Sequence, residues 1–239
     1  MKKDEVSVKK IDENTLLEKS DSASPSDEMR SRSAVSKAVV KRLPRYFRYL
    51  RELLLAGKNR VSSGELARLM GITASQIRQD FNCFGGFGQQ GYGYNVSYLY
   101  RKISEILGVT MGYRAVIVGC GNLGRALAGS VMFAKRGVEL CGLFDVNPAV
   151  IGTSVAGYTV GDMDSIEAFC REKSIDIAIL TTPRDSALET AARLANAGIR
   201  GLWNFTNIEI NLSLSGVKVE NVHMGDSLMM LCYELGEEE

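Results

Sequence analysis

The sequence predicts an α/β protein in which a basic, largely helical module precedes a doubly wound parallel sheet. Three observations support this fold class. From residue 115 onward, apolar β-branched segments alternate with helical segments, a pattern typical of a parallel sheet covered by helices. A glycine-rich turn joins the first of these strands to its helix. The basic residues are also concentrated, because residues 30–102 hold 14 Lys and Arg against three Asp and Glu, a net charge of +11.

The uneven charge favours a nucleic-acid partner for the basic module. Residues 1–29 carry a net charge of −3 and residues 103–239 one of −7, although the whole chain is close to neutral at +1. A basic module joined to an acidic one is the distribution expected where Lys and Arg meet phosphates. We therefore expect double-stranded DNA as a partner of residues 31–111.

Composition excludes several other classes of protein. At 239 residues and 45% apolar content, the chain is large enough for two small domains with real cores. No apolar run approaches the ~20 residues that a bilayer requires, so we expect a cytoplasmic protein without a membrane partner. The five cysteines are scattered and odd in number, which predicts reduced thiols and no metal site. They are Cys83, Cys120, Cys141, Cys170 and Cys232.

The first ordered element is predicted to be a long helix. Residues 1–30 are rich in Lys, Asp, Glu and Ser, and we expect them to form a disordered extension. From Ser36 to Ala56, apolar residues recur at helical spacing and Gly57 supplies a stop. Several arginines, Arg48 among them, lie between the apolar positions.

Two capping boxes then predict a helix-turn-helix. Residues 62–65 (Ser-Ser-Gly-Glu) open a helix that ends at Gly71, and residues 73–76 (Thr-Ala-Ser-Gln) open a second helix through Phe81. An ordinary three-helix bundle fits this pattern about as well, but the basic charge favours DNA, with the second helix in the major groove. The candidate DNA-binding residues are Ser62, Ser63, Ser75, Gln76, Arg78 and Gln79.

Glycines alternate with aromatic residues directly after the second helix. Residues 83–96 are predicted to form a tight hairpin, the wing of a winged helix, with Gln89 and Gln90 at its tip. These two side chains are further candidates for DNA contact. A helix over residues 97–107 follows, and residues 109–112 link it to the next domain.

The turn after the first buried strand carries the spacing of a dinucleotide-binding loop. Residues 115–118 form the strand, and the three glycines that follow have the spacing G-x-G-x-x-G. Gly119 allows the tight turn, Gly121 lets a pyrophosphate approach the backbone, and Gly124 lets the helix pack on the strand. Asp145 ends the second strand, where a carboxylate accepts both ribose hydroxyls and repels a 2′-phosphate. We therefore expect NAD(H) rather than NADP(H), bound by Gly119, Cys120, Gly121, Asn122, Leu123, Gly124 and Asp145.

The remaining elements complete a Rossmann-type domain over residues 112–220. Residues 151–158 are predicted to be a loop with a short extended piece, residues 163–173 and 187–197 helices, and residues 175–180 and 201–205 strands. Polar residues at the carboxyl ends of these strands are candidate cofactor contacts, although they also serve simply to end strands. They are Thr181, Thr182, Pro183, Asn204 and Phe205.

An apolar helix closes the chain at residues 221–235, after the sheet is complete. Such a helix needs a partner surface. It either packs back on its own domain or is exchanged in a dimer, and residues 221–239 are set apart as this closing helix and tail.

From about residue 34 to 235, the chain resembles the Rex family of redox-sensing bacterial transcriptional repressors. The wing sequence together with the dinucleotide loop is highly specific for this family. The matching segments are residues 61–66, 73–81, 84–96, 119–124, 144–148, 203–205 and 219–222. The resemblance implies a homodimer locked by a swapped C-terminal helix, with NADH and NAD+ as cofactors. It also implies operator binding when NADH is scarce, release when NADH accumulates, and targets among genes of fermentation and anaerobic metabolism.

Four positions depart from the family pattern. Ser130 stands where the family often has Tyr, in the helix after the glycine loop, and His223 stands where it often has Asp. Residues 206–207 are Thr-Asn in place of Ala-Pro. The family's groups relay the nicotinamide state to an arginine, here Arg48, and we expect Asp226 to supply the carboxylate.

Catalysis is the rival function, as an NAD-dependent dehydrogenase. Hydride transfer needs an acid or base beside the nicotinamide. The single histidine, His223, lies in the final helical segment, where a capping or interface role is expected. No catalytic residues are therefore expected. A structural oligomer that merely keeps a nucleotide is the third alternative.

Overall fold

A computed structural model describes residues 36–83, 88–89 and 93–236. The predicted disordered extension and Gln90 lie outside these residues. The chain divides into two compact units between Val109 and Thr110, two residues before the boundary that the sequence predicts. Among the described residues, no helix is both long enough and apolar enough to cross a membrane.

The first unit has the element order of a winged helix, which confirms the predicted class. Within the described part of this unit, three short strands pair antiparallel in the order β1-β3-β2. The hairpin approaches β1 closely, since a Cβ on Gly93 would lie 2.8 Å from the carbonyl oxygen of Val61. The elements are α1 (Lys37–Leu55), β1 (Arg60–Val61), α2 (Ser63–Met70), α3 (Ala74–Asn82), β2 (Gly88–Gln89), β3 (Gly93–Asn95) and α4 (Val96–Leu107).

The core of this unit is built from the apolar faces of its helices. Leu43, Tyr46 and Leu50 of α1 are fully buried, as the helical spacing predicts, and they belong to one cluster with residues of α3 and α4. Helix α1 also continues through Pro44. Of the buried side chains in the unit, Asp80 of α3 is the only carboxylate among the described residues.

Both predicted capping residues cap their helices, but neither capping box is complete. The hydroxyl groups of Ser62 and Thr73 accept the backbone N–H groups of Glu65 and Gln76, each over 3.1 Å. The return bond is replaced in both cases. Glu65 pairs with Lys58, and the Gln76 side chain donates to Asp80 one turn further along α3. Charged partners outside the capping box therefore compete successfully with the return bond.

The second unit is a seven-stranded sheet with the order β10-β9-β8-β4-β5-β7-β6. All neighbours are parallel except β6 and β7, and leaving out β6 gives the strand order of a dinucleotide-binding Rossmann fold. The strands are β4 (Tyr113–Val118), β5 (Val138–Asp145), β6 (Ser154–Val155), β7 (Tyr158–Asp162), β8 (Ile177–Leu180), β9 (Gly201–Asn204) and β10 (Lys218–Asn221). The helices are α5 (Asn122–Ala128), α6 (Ile166–Glu172), α7 (Arg184–Asn196) and α8 (Met224–Gly236).

Strand β4 lies at the centre of this sheet and is buried on both faces. Val116 and Val118 belong to the apolar cluster that includes residues of α6 and α7, whereas Ala115 and Ile117 belong to the cluster on the other face. This explains why the strand reads as a continuous apolar run. Its carboxyl end, where the glycine turn begins, is therefore rigidly placed.

Two strands of the sheet escaped sequence-based prediction. β7 contains Gly161, which reads as a strand breaker, yet a Cβ there would lie 2.8 Å from the Phe144 ring. β10 alternates exposed and half-buried residues at the edge of the sheet and has no apolar run. The prediction of a closing helix from residue 221 was wrong at its start, because Asn221 pairs in β10 and α8 begins at Met224.

Candidate functional site

The glycine turn between β4 and α5 is shaped by two of its three glycines. Gly119 has φ +97°, and a Cβ there would lie 2.8 Å from the carbonyl carbon and oxygen of Thr181. A Cβ on Gly124 would lie 1.9 Å from the carbonyl oxygen of Gly119. Gly121 is different, since a Cβ there would meet no atom within 4 Å. The protein itself therefore does not require a glycine at position 121, and the open space is available to a ligand.

Asp145, at the end of β5, is held against this turn. Its Oδ2 accepts the backbone N–H of Cys120 over 2.6 Å, and its Oδ1 accepts that of Asn147 over 2.8 Å. Each oxygen keeps a further lone pair for a ligand hydroxyl. Burial, reinforced by the charge of Asp145, raises the pKa of the Cys120 thiol to about 11, so this thiol is neutral and unreactive near pH 7.

A cleft of about 480 Å³ opens at the carboxyl ends of the strands, beside the glycine turn. Half of the predicted cofactor residues line it, namely Gly119, Gly121, Asp145, Thr181, Thr182 and Pro183. The other half, which does not line it, comprises Cys120, Asn122, Leu123, Gly124, Asn204 and Phe205. Helix α5 has only seven residues, so its dipole is small, but its first turn leaves backbone N–H groups without helical partners.

The two threonines after β8 have different roles. The Thr181 hydroxyl donates to the carbonyl oxygen of Gly119 over 2.7 Å and so joins two strand ends. The Thr182 hydroxyl is buried and has no hydrogen-bond partner within the described part of the chain. A buried hydroxyl without a partner in a cleft wall is costly unless a ligand or water satisfies it.

The residues of the cleft fit a dinucleotide of the kind that the glycine spacing predicts. Open space at Gly121 suits a pyrophosphate, the Asp145 carboxylate suits a ribose diol, and the unsatisfied Thr182 hydroxyl supplies one more polar contact. Sequence reasoning missed Asn147, Ser186 and Thr190, which also line the cleft. Polar residues four apart on the otherwise apolar face of α7 were the available signal for the last two.

Asn204 supports the end of β9 from within and does not reach the cleft. Its Nδ2 donates to the carbonyl oxygen of Ile208 and to Asn221 Oδ1, each over 2.7 Å, and its Oδ1 accepts two bonds from Thr206. All four hydrogen-bonding positions of the amide are thus used. Asn204 was predicted to contact the cofactor, but in the structure its amide holds the end of β9 to Thr206, Ile208 and Asn221.

In the first unit, helix α3 has one buried face and one exposed, polar face. Ile77, Asp80 and Phe81 are buried, whereas Ser75, Arg78 and Gln79 are exposed and Gln76 is half-buried. Arg78 Nη1 donates to Ser63 Oγ over 3.2 Å, which brings two predicted DNA-binding residues together. Gln89 lies in β2, paired with Gly93.

Part of the positive charge of this unit is used internally. Arg42 forms a bidentate pair with Asp80 over 2.7 Å, and Arg45 donates to the carbonyl oxygen of Met70 at the end of α2. These arginines hold α1 against α2 and α3. Two of the 14 basic side chains counted in residues 30–102 are therefore engaged in packing this unit, although the net charge of +11 already includes Asp80.

The residues expected to relay the redox state have the following surroundings. The Arg48 guanidinium lies 5.5 Å from the centre of the Tyr49 ring, and Asp226 is exposed in the first turn of α8. His223 Nε2 lies 2.9 Å from Glu209 Oε1. Ser130 lies two residues beyond the end of α5, so the expectation that it belongs to that helix was wrong.

Among the described residues, no cluster of three His, Cys, Asp or Glu side chains is arranged to hold a metal ion.

Comparisons with protein families match the two units separately. A family model described as "Putative DNA-binding protein N-terminus" matches residues 34–82. A second model, described as a CoA binding domain, matches residues 110–208.

Curated relatives and solved structures match most of the chain. A redox-sensing transcriptional repressor Rex from Thermoanaerobacter pseudethanolicus is 50% identical over 211 residues, which are 88% of this chain and 94% of the relative. One from Clostridium botulinum (strain Eklund 17B) is 47% identical over 85% of this chain and 97% of the relative. The crystal structure of RSP with β-NAD+ and operator DNA is 50% identical, with a TM-score of 0.80 over 85% of this chain and 94% of that chain. RSP with β-NADH is 48% identical, with a TM-score of 0.79 over 85% of this chain and 95% of that chain.

Proposed function

The chain belongs to the Rex family of redox-sensing transcriptional repressors, and on that premise we propose that it is an NADH-responsive repressor. It binds double-stranded operator DNA when NADH is low and releases the DNA when NADH accumulates. The observation that carries this proposal is the pairing, in one chain, of a winged helix with a cleft that suits an adenine dinucleotide. We place its target genes in fermentative and anaerobic energy metabolism and its location in the cytoplasm.

Gly121, Thr182 and Asp145 are the residues that we assign to the nucleotide. Coenzyme A, named by one family model, shares the adenosine pyrophosphate of NADH but carries a 3′-phosphate on its ribose. The Asp145 carboxylate repels a ribose phosphate and accepts free hydroxyls, which favours NADH. The bound nicotinamide differs by one positive charge between its two redox states, and this difference biases nearby charged contacts.

The decisive experiment measures how the protein retards promoter DNA in a gel while NADH, NAD+, NADPH and coenzyme A are each titrated separately. We expect NADH alone to release the DNA at low concentration. DNA binding that changes with none of the four nucleotides would contradict the proposal. Hydride transfer to a carbonyl substrate would instead support a dehydrogenase. Among the described residues that line the cleft, Asp145 is the only ionisable one, and we assign it to the ribose.

Replacement of Asp145 by alanine should weaken NADH binding by roughly 1.5–3 kcal/mol, the usual loss for a charge-assisted hydrogen bond. The variant also loses the acceptor for the Cys120 N–H, so Asp145→Asn, which keeps an acceptor, is the matched control. The asparagine variant should lose less affinity for NADH and gain affinity for NADPH. Calorimetry measures both, and parental NADH affinity in the alanine variant would remove Asp145 from the site.

Replacement of Arg78 by alanine should cost ~1–3 kcal/mol on operator DNA and little on random DNA, since its guanidinium is exposed on the recognition helix. The contact from Ser63 holds the guanidinium in place, so Ser63→Ala should give a smaller loss of the same kind. Fluorescence anisotropy on both duplexes provides the comparison. An equal loss on both would make Arg78 a phosphate contact.

For the switch, we propose that Arg48 pairs with Asp226 of the partner subunit in the DNA-competent arrangement and that NADH favours an arrangement without this pair. A hundredfold loss of operator affinity requires that NADH bind the arrangement without this pair more tightly by about 2.7 kcal/mol. By the same linkage, operator DNA must weaken NADH binding by the same factor. Asp226→Ala should therefore lower operator affinity and leave NADH binding nearly intact. Glu234→Ala, on the same helix, is the control. If Asp226→Ala binds operator DNA and releases it with NADH as the parent does, the proposed Arg48–Asp226 pair is wrong.

A further inference from the structure

Asp80 is a buried, fully hydrogen-bonded carboxylate on the inner face of the recognition helix α3. Its Oδ1 accepts Arg42 Nη2 over 2.7 Å and Gln76 Nε2 over 2.8 Å. Its Oδ2 accepts Arg42 Nε over 2.7 Å and the Tyr46 hydroxyl over 2.8 Å. Burial alone raises the pKa of Asp80, but these hydrogen bonds outweigh burial and hold the pKa below its ordinary value. The side chain is therefore ionised at neutral pH.

An ionised carboxylate decides which way the Gln76 amide is turned. A carboxylate accepts hydrogen bonds and donates none, so only the NH2 end of the amide bonds to Asp80. The Oε1 end and the second N–H of Gln76 make no hydrogen bond within the described part of the chain. The side chain is also free of the return bond to the Thr73 backbone that the capping box predicts.

The free edge of Gln76 is placed where base edges are read. Gln76 is the third residue of α3, and the N-terminal residues of a recognition helix contact bases in the major groove. A donor and an acceptor side by side match N7 and the N6 amino group of adenine. No other base presents that pair of groups in the major groove.

We propose that Gln76 reads an adenine in each operator half-site and that Asp80 is the positioning residue that fixes its amide for this contact. The inference rests on the proposed function, because it requires operator DNA, and it adds the base and the residue that sets the specificity. Arg42 acts through Asp80, because its two bonds and its charge keep the carboxylate ionised and hold it against α1. The NH2 end of Gln76 is then the neighbour of this carboxylate on α3.

The test is selection from a library of DNA duplexes with randomised centres, carried out in parallel with the full-length parent and three variants. The parent should enrich a two-fold symmetric site that favours one adenine per half-site about tenfold or more over other bases. Gln76→Met, which leaves the Asp80 network in place, should lose the preference at that position alone. Asp80→Asn should lose it too, because an asparagine amide also donates and lets the Gln76 amide turn over.

Tyr46→Phe is the matched control, since it removes one bond to Asp80 but keeps the charge and the bond to Gln76. It should retain the adenine preference, whereas a merely structural network would lose it together with Asp80→Asn. Helical content, measured by circular dichroism, should be unchanged in Gln76→Met, and its affinity for random DNA should fall far less than its affinity for the selected site. If Asp80→Asn fails to fold, Gln76→Met decides the question.

An unchanged base preference in Gln76→Met, with NADH still releasing the selected site, would overturn this inference and leave the proposed function standing. A parent protein that enriches no site, or whose selected site is indifferent to NADH, would overturn the proposed function. A parent protein that enriches no site would overturn this inference as well. The two failures are therefore distinguishable.

Discussion

Replacement of Gly121 by valine is expected to abolish the response of operator binding to NADH while leaving the fold intact. The valine side chain enters the open space beside the glycine turn, where we place the pyrophosphate. The backbone there is extended, with φ −71° and ψ −167°, which valine adopts readily. NADH binding should weaken by roughly 3 kcal/mol or more, because a branched side chain and a pyrophosphate cannot share the space.

The neighbouring Gly124 provides the contrasting variant. Alanine at this position would place its Cβ 1.9 Å from the Gly119 carbonyl oxygen, so the turn itself must move. Gly124→Ala should therefore lower the unfolding temperature, whereas Gly121→Val should not. Thermal unfolding and calorimetry separate the two effects. Parental NADH affinity in Gly121→Val would show that the nucleotide binds elsewhere.

Replacement of Leu231 by glutamate should convert the dimer that we propose into monomers and sharply weaken operator binding. Along α8, one stripe of large apolar side chains is 51–61% exposed, although such residues are normally covered. We propose that a second copy of the chain covers this stripe by exchange of α8. Burial of one leucine contributes ~1.5–3 kcal/mol, and a buried unpaired carboxylate costs more. The stripe consists of Met224, Leu228, Leu231 and Leu235.

Operator affinity should fall because a monomer contacts one half-site where the dimer contacts two. Glu234→Gln, a polar change on the same helix, should remain dimeric and serves as the control. Light scattering gives the oligomeric state, and anisotropy on full-site and half-site duplexes gives the affinities. A Leu231→Glu variant that stays dimeric with parental operator affinity would rule out α8 as the dimer contact.

Several features of the fold and the site follow from the sequence because their causes are local. The glycine turn follows from residue types at fixed spacing, since only glycine has the conformational freedom that Gly119 uses at φ +97°. The helix starts at Ser62 and Thr73 follow from hydroxyls three residues before a backbone N–H. Asp145 follows from its place at the end of a strand whose apolar run is unmistakable.

What only the tertiary structure decided is which polar groups are already used. Nothing local distinguishes Thr181 from Thr182, yet the first hydroxyl bonds across the sheet and the second is left without a partner. Asn204 was expected at the nucleotide, but strand pairing brings it to Asn221 and consumes its amide. In the same way nothing local marks Asp80 as buried, but Arg42 and Tyr46, more than thirty positions earlier, bond to its carboxylate. Hydrogen bonds between residues distant in sequence depend on how the elements pack, and that is the information that a local pattern lacks.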